Sequence, residues 1–366
     1  MTDSAGRGKS DSPVLLDLKG VSQTFHSKRG ELPAVRDVSL HVGRGEVLCL
    51  VGESGCGKTT TARIAAGLAK PVAGSVEFEG ADIWGLGRRE WTAYRKAVQF
   101  IHQDPYASLN PIRSVFATLA APLRRHGLAK SRKDAWEQAA ALLARVEMTP
   151  AENFLGKYPH QLSGGQRQRV AVARALALDP RLIIADEATS MLDVSIRVGV
   201  LRMLTRLRTE LDVGFVFITH DLAIARHFGS GGRIAVMYLG RVVEYGPTDE
   251  VIGNPQHPYT KALLSAVPDL DPGPEGRRDP GLRGIDIPNL AELPSGCTFH
   301  PRCPLYVPGT CEVTEPALLP TAPGRPDVAC HVIAGGVADV PAQTGPVDVP
   351  AQTGERDAAP KAGGGV

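Results

Sequence analysis

The sequence has 366 residues, 43% hydrophobic and 22% charged, and this length predicts two folded domains with buried cores. The 41 lysines and arginines nearly balance the 39 aspartates and glutamates. The formal charge of +2 argues against a protein that mainly coats nucleic acid or anionic lipid. No run approaches the roughly 18 apolar residues of a membrane span, and the N-terminus lacks a secretory signal, so we expect a soluble intracellular protein.

Between about Val14 and Tyr245, short apolar runs alternate with helical patterns. The runs at 47–51, 181–186 and 214–220 are continuous, which is typical of strands covered on both faces. The segment from Ser131 predicts an amphipathic helix with Ser131 and Asp134 at its N-cap, and with Trp136, Ala139, Leu143 and Val146 on one face. We therefore expect an α/β domain at 13–252 with a helical subdomain at about 104–178, preceded by a disordered tail at 1–12.

The segment GESGCGKT at 52–59 follows the apolar run VLCLV and precedes a helical pattern, which predicts a phosphate-binding loop. Glycines let backbone N–H groups surround phosphate oxygens, and the following helix N-terminus adds positive dipole character. Lys58 is expected to reach the β- and γ-phosphates of ATP, and Thr59 to bind Mg²⁺. The predicted nucleotide-binding residues of this loop are Gly52, Glu53, Ser54, Gly55, Cys56, Gly57, Lys58, Thr59 and Thr60.

Cys56 lies inside this loop, near a helix N-terminus that would favour a thiolate. We expect alkylation of Cys56 to block nucleotide binding, although a role as a small filler is the simpler interpretation.

A second acidic motif, RLIIADEATSMLD at 181–193, places Asp186 and Glu187 at the end of an apolar strand. A carboxylate at the carboxyl end of a strand beside a phosphate-binding loop suits Mg²⁺, so Asp186 is expected to bind the ion. Glu187 is expected to orient or deprotonate the attacking water, a role worth about 10²–10⁴-fold in rate.

The segment LSGGQRQRVAVARAL at 162–176 resembles the signature motif of the nucleotide-binding subunits of ABC transporters. Ser163, Gly164, Gly165 and Gln166 are predicted to open a helix, and in that family they face the γ-phosphate bound by the opposing subunit. The other family motifs follow in order over about residues 14–250. The resemblance assigns Phe25 to adenine stacking, Gln103 to Mg²⁺ or water, Asp193 to the D-loop and His220 to the γ-phosphate.

The family resemblance implies a P-loop NTPase core of ABC type and a hydrolytic ATPase. Glu187, His220 and Gln103 are its catalytic residues, and Thr59, Gln103 and Asp186 bind Mg²⁺. In the family, each ATP site combines the phosphate-binding loop of one subunit with the signature motif of another. Because the chain has one of each, the resemblance implies a dimer, homo- or heteromeric, with a second ABC ATPase subunit.

Composition changes after about residue 250: nineteen of the 29 prolines lie there. We expect a small Pro/Cys-rich domain at 253–335 and a disordered tail at 336–366, where the heptapeptide DVPAQTG occurs twice. The segments GNPQHPYTKALLSAVP (253–268), LPSGCTFHPRCP (293–304) and VACH (328–331) resemble the C-terminal region of oligopeptide/dipeptide importers.

The domain at 253–335 contains Cys297, Cys303, Cys311 and Cys330, spaced C-x₅-C-x₇-C-x₁₈-C. The importer resemblance favours a [4Fe–4S] cluster at these residues, and Zn²⁺ is the alternative. Cysteines with no metal, or a disulfide pair, are a third possibility.

The resemblance implies an ATPase that energises a di- or oligopeptide importer. Its partners would be two transmembrane permease subunits and an external solute-binding protein, and its place the cytoplasmic face of the cell membrane. Nickel chelates or glutathione are alternative substrates. A soluble ABC protein acting on ribosomes or DNA is a second class, but tandem ATPase units and long coiled-coil inserts are lacking. A P-loop kinase or GTPase would not carry LSGGQ, and a redox-sensing module with vestigial ATPase activity would not need Glu187 and His220.

Overall fold

A computed structural model describes residues 14–27, 30–266, 281–322 and 325–334. The tails expected to be disordered, at 1–12 and 336–366, lie outside the described residues. The strands are β1 (Val14–Ser27), β2 (Gly30–Gly43), β3 (Val47–Val51), β4 (Ala73–Phe78), β5 (Ala81–Asp82), β6 (Val98–Ile101), β7 (Leu182–Asp186), β8 (Gly214–Thr219), β9 (Arg233–Tyr238), β10 (Arg241–Pro247), β11 (Leu319–Pro320) and β12 (Asp327–Val328).

Helices cover the sheets and build a separate helical layer between β6 and β7. They are α1 (Lys58–Ala65), α2 (Arg88–Ala97), α3 (Pro105–Ser108), α4 (Val115–Arg125), α5 (Arg132–Arg145), α6 (Glu152–Leu155), α7 (Gly164–Leu176), α8 (Val194–Leu211), α9 (Leu222–Gly229), α10 (Thr248–Gly253) and α11 (Pro258–Ser265). In the described ranges, no helix is both long and apolar enough to cross a membrane.

The larger sheet has the strand order β11-β12-β10-β9-β3-β8-β7-β6, and the five strands from β9 to β6 are parallel. Its central strand β3 is buried on both faces. Val47, Cys49 and Val51 enter one hydrophobic core, and Leu48 and Leu50 enter the other. This two-sided burial explains the continuous apolar runs and confirms the strands expected from them.

The smaller sheet has the order β2-β1-β4-β5 and is antiparallel. The long hairpin of β1 and β2 places Phe25 opposite Leu32 in a solvent-exposed stretch. Its inner residues share the second core with α1, so this sheet lies against the helix that follows the phosphate-binding loop.

The helical layer contains the amphipathic helix that the sequence predicts after Ser131. Helix α5 begins after Ser131, whose hydroxyl accepts a hydrogen bond from the backbone N–H of Asp134. Ala139 and Leu143 are buried on the expected face, whereas Trp136 is 38% exposed at its edge, where its ring packs on Phe116.

The Pro/Cys-rich segment after residue 253 packs directly on the α/β part of the chain. Strand β12 pairs with β10, with Val328 opposite Glu244, and so extends the large sheet. Tyr259, Phe299 and Cys303 belong to the same hydrophobic core as the helical layer. The side chain of Glu244 accepts hydrogen bonds from the backbone of residues 256–257 and thereby fixes the start of α11.

Candidate functional site

The phosphate-binding loop connects β3 to α1 at the carboxyl edge of the parallel strands, where α/β proteins bind their ligands. Two glycines permit its tight path. A Cβ on Gly52 would lie 2.2 Å from the carbonyl oxygen of Met237, and one on Gly57 would lie 2.2 Å from that of Ala34. Both glycines also have positive φ angles, which L side chains rarely adopt.

Lys58 is the first residue of α1, and its side chain turns back into the loop. Its ammonium donates hydrogen bonds of 2.7 Å to the carbonyl oxygens of Gly52 and Glu53. Although Lys58 is buried, these two acceptors keep its charge at the mouth of the loop, where a phosphate would arrive.

The expected thiolate character of Cys56 is wrong. The side chain is 3% exposed, and burial raises the pKa of its thiol, only partly offset by the positive charge of Lys58. Desolvation therefore outweighs the helix N-terminus, and Cys56 is a buried thiol at ordinary pH.

The residues expected to bind Mg²⁺ come together from two parts of the chain. The hydroxyl of Thr59 donates a hydrogen bond of 3.1 Å to Oδ1 of Asp186, the last residue of β7. Burial raises the pKa of the Asp186 carboxyl, and the hydrogen bond from Thr59 opposes this shift. A hydroxyl and a carboxylate side by side are the oxygen donors that Mg²⁺ prefers.

Glu187 lies between the other two predicted catalytic residues. Nε2 of Gln103 donates a hydrogen bond of 2.9 Å to Glu187 Oε2, and Nδ1 of His220 lies 3.3 Å from Glu187 Oε1. Gln103 follows β6 and His220 follows β8, so strands on both sides of β7 deliver these side chains to one place. Glu187 has a φ of 45°, a left-handed conformation that costs energy for a non-glycine residue and is common at functional sites.

A cavity of about 430 Å³ opens between these groups, within the size range of small-molecule sites. Its lining combines the phosphate-binding loop with Glu187 and its two partners Gln103 and His220. The lining residues are Ala34, Ser54, Gly55, Gly57, Lys58, Thr59, Thr60, Gln103, Glu187 and His220. Gly52, Glu53, Cys56 and Asp186 do not line the cavity, and Phe25 is exposed on the hairpin.

The signature motif is placed apart from this cavity. Ser163 caps α7 by accepting a hydrogen bond from the Gln166 N–H, and the Gln166 side chain accepts one from the Ser163 N–H. A Cβ on Gly165 would lie 2.4 Å from a methyl of Ile196, so this glycine lets α8 approach. Asp193 precedes α8 and is exposed. Neither motif lines the cavity of its own chain.

The four late cysteines come together in one partly buried region. Burial and, after it, the neighbouring cysteines raise the pKa of the Cys297 and Cys303 thiols to about 12. The backbone N–H of Cys297 bonds the carbonyl oxygen of Cys311 at 2.7 Å. Four thiols suit a metal chemically, but among the described residues no group of three or more His, Cys, Asp or Glu side chains is arranged as a metal site.

Sequence reasoning missed two residues that contact the phosphate-binding loop. The hydroxyl of Tyr259 accepts a hydrogen bond of 2.9 Å from the Glu53 N–H, and the guanidinium of Arg302 lies 3.2–3.3 Å from the Glu53 carboxylate. Arg302 and Glu53 are 249 positions apart, and no spacing rule links residues so distant.

Two family profiles match the chain. Residues 35–190 match the ABC transporter family, and residues 243–311 match the C-terminal region of oligopeptide/dipeptide transporters.

The chain is similar to curated proteins over most of its length. It is 48% identical over 334 residues to the probable peptide ABC transporter ATP-binding protein y4tS of Sinorhizobium fredii, covering 89% of this chain and 92% of that protein. It is 44% identical over 308 residues to the oligopeptide transport ATP-binding protein OppF of Salmonella typhimurium, covering 84% and 91%.

Solved ABC cassettes share the fold. The dimeric post-hydrolysis state of the ATP-binding cassette MJ0796, bound to ADP and Pi, aligns with a TM-score of 0.58 at 32% identity and covers 64% of this chain and 99% of that one. The cbiO1 protein of Clostridium perfringens, part of the ABC transporter complex cbiONQ, aligns with a TM-score of 0.57 at 26% identity, covering 66% and 92%. These matches confirm the fold and the family expected from the motifs. The chain belongs to the ABC transporter family, as an ATPase subunit of the oligopeptide/dipeptide transporter group.

Proposed function

We propose that this chain binds ATP in the cavity beside Lys58 and hydrolyses it to drive the uptake of di- or oligopeptides. The observation that carries the proposal is Glu187, held between Gln103 and His220 at the edge of the phosphate-binding loop. A carboxylate there can accept a proton from water as the water attacks the γ-phosphorus. The bond between that phosphorus and the β–γ bridging oxygen breaks, and ADP and phosphate leave.

The individual side chains divide the work. Lys58 would balance phosphate charge, and Thr59 and Asp186 would hold Mg²⁺, which neutralises charge on the β- and γ-phosphates when bound. Gln103 would orient the attacking water or contact Mg²⁺, and His220 would contact the γ-phosphate. Phe25, on the exposed hairpin, would stack on the adenine.

The ATP site requires a second subunit. Because the signature motif of Ser163–Gln166 lies away from the cavity of its own chain, it is available to the ATP of a partner. We propose a dimer with a second ABC ATPase subunit, in a heteromeric pair, that closes on two ATP molecules. Asp193, exposed beside Val194 and Met191, would lie in the subunit interface.

A cationic groove offers a contact for the permease subunits. A cavity of about 520 Å³ beside the Gln103 segment has a lining that includes Arg95, Arg125 and Arg174. Burial lowers the pKa of His102 there, and Arg174 and Arg63 lower it further. We propose that an acidic cytoplasmic segment of a permease subunit inserts here and places the chain at the inner face of the cell membrane.

Two experiments test these proposals. Affinity purification of the tagged chain from native membranes should recover two permease proteins and a second ATPase. Arg95→Glu combined with Arg125→Glu should abolish this recovery and leave ATP binding intact. Transport assays with labelled dipeptides, nickel chelates and glutathione then decide the substrate, and an external solute-binding protein is expected to be required.

We also propose that Cys297, Cys303, Cys311 and Cys330 hold a [4Fe–4S] cluster, with Zn²⁺ as the alternative. In support, the four thiols lie close to one another: after burial, the neighbouring cysteines contribute to the raised pKa of Cys297, Cys303 and Cys330. The ligands would have to draw together from their present arrangement. After anaerobic purification, about four iron and four sulfide per chain would support the cluster, and one zinc without sulfide would support the alternative.

A further inference from the structure

Two residues of the C-terminal segment contact Glu53 of the phosphate-binding loop. Glu53 donates its backbone N–H to the hydroxyl of Tyr259 at 2.9 Å, and both oxygens of its carboxylate face the guanidinium of Arg302 at 3.2–3.3 Å. Tyr259 and Arg302 both lie beyond residue 253. The C-terminal segment therefore holds both the backbone and the side chain of Glu53.

These contacts are sheltered from water. Tyr259 is fully buried, the Arg302 side chain is 8% exposed and that of Glu53 is 22% exposed. The rings of Tyr238 and Phe299 pack against Tyr259, with ring centroids 4.6 and 5.5 Å away. A two-pronged charge pair in such surroundings is screened less than a surface ion pair and has a fixed geometry.

Glu53 is also one of the residues that hold the phosphate-binding lysine. Its carbonyl oxygen accepts a hydrogen bond from Lys58 Nζ at 2.7 Å, next to the equivalent bond to Gly52. The orientation of the peptide groups at Glu53 thus decides where the lysine ammonium rests. A chain of direct contacts runs from Arg302 and Tyr259 through Glu53 to Lys58.

We propose that Tyr259 and Arg302 are positioning residues for the phosphate-binding loop. They hold Glu53 so that the loop is ready for the phosphates of ATP, and the docked C-terminal segment raises nucleotide affinity without touching nucleotide. This inference rests on the proposed ATP site. Arg302 directly precedes Cys303 in the chain. The proposal therefore implies that a structural change around the four cysteines also changes ATP affinity.

The test is equilibrium binding of ATP–Mg²⁺ to the purified full-length chain by titration calorimetry. Arg302→Met should weaken binding about tenfold, since a charge-assisted contact to the loop is lost. Tyr259→Phe keeps the ring in the aromatic cluster and removes only the hydroxyl, so it should weaken binding about threefold. Arg302→Lys should restore part of the affinity because it keeps the charge.

Glu315→Gln is the matched control. Glu315 ties the same segment to the cassette through ion pairs with Arg36 and Arg241, at 2.7 and 2.5 Å, but does not contact the loop. It should leave ATP affinity unchanged. In the permease complex, Arg302→Met should raise the KM for ATP and leave kcat at saturating ATP within about twofold, because the residues around Glu187 are untouched.

Each alternative result has a definite meaning. If the wild-type chain binds no ATP, the proposed function itself fails. If it binds ATP and both Arg302→Met and Tyr259→Phe bind equally well, the positioning role is refuted. If Glu315→Gln weakens binding as much as Arg302→Met, docking of the segment as a whole matters and the specific contacts to Glu53 do not.

Discussion

The hydroxyl of Thr59 lies 3.1 Å from Oδ1 of Asp186, a residue 127 positions later in the chain. This contact joins the phosphate-binding loop to the end of β7, and it exists because β3 and β7 flank β8 in one parallel sheet. The geometry places two oxygen donors beside the cavity and makes the strand order of the sheet the basis of the proposed Mg²⁺ site.

Replacing Asp186 with Asn should abolish the Mg²⁺ dependence of ATP binding, because a neutral amide cannot balance the charge of the cation. ATP affinity measured with and without Mg²⁺ checks this. Asp212→Asn is the control, since Asp212 caps the C-terminus of α8 in a left-handed conformation that asparagine tolerates. An Mg²⁺ dependence that survives in Asp186→Asn would contradict the assignment.

Glu187→Gln should bind ATP and lower hydrolysis by about 10²–10⁴-fold, because the amide can still accept the hydrogen bond from Gln103 but cannot take a proton from water. Phosphate release by the permease complex measures the rate. The matched control is Glu210→Gln, on the exposed face of α8. Full turnover in Glu187→Gln would mean that another group is the base.

Ser163→Arg should leave ATP binding to the single chain unchanged, since the signature motif does not line the cavity of its own chain. It should instead prevent ATP-induced dimer formation, because the bulky cation would occupy the space of the partner's nucleotide. Calorimetry measures ATP binding to the single chain. Light scattering in the presence of the second ATPase subunit measures dimer formation. Loss of ATP binding by the isolated variant would show that the motif acts within its own chain.

His257 predicts a pH dependence of stability. Its Nδ1 accepts a hydrogen bond from the Tyr259 N–H at the start of α11, and burial lowers its pKa from 6.5 to about 3. Between these values the unfolded chain binds one more proton than the folded chain. The contribution of His257 to the free energy of unfolding should therefore fall as the pH falls, by about 1.4 kcal/mol per unit below pH 6.

His257→Asn isolates this contribution. Asparagine can still cap α11 but does not titrate, so the variant should be less stable than wild type at pH 7.5 and lose less stability on acidification. Urea unfolding at several pH values between 7.5 and 5 gives, for each protein, the change in the free energy of unfolding with pH. Equal slopes for the two proteins would contradict a buried neutral histidine at this position.

Sequence reasoning succeeded where the fold produces a recognisable pattern in consecutive residues. Continuous apolar runs located β3, β7 and β8, because strands buried on both faces cannot alternate with polar residues. The family motifs selected Gln103, Glu187 and His220, and the structure brings their side chains together after β6, β7 and β8.

Sequence reasoning failed where residues far apart in the chain determine the burial or the pairing of a side chain. The helix N-terminus beside Cys56 suggested a thiolate, but strands packed around the loop desolvate the thiol. The pair of Glu53 and Arg302 leaves no local pattern, since opposite charges are common and 249 residues separate them. The two-residue strand β12 is too short for any periodicity, yet it joins the C-terminal segment to the large sheet.

The most direct test of the central claim is the ATPase rate of the complex purified with its permease subunits and reconstituted into proteoliposomes. The account predicts that a peptide-loaded solute-binding protein stimulates phosphate release and that Glu187→Gln in this chain removes the stimulation. A complex in which peptide neither stimulates ATP hydrolysis nor accumulates in the vesicle lumen would contradict it.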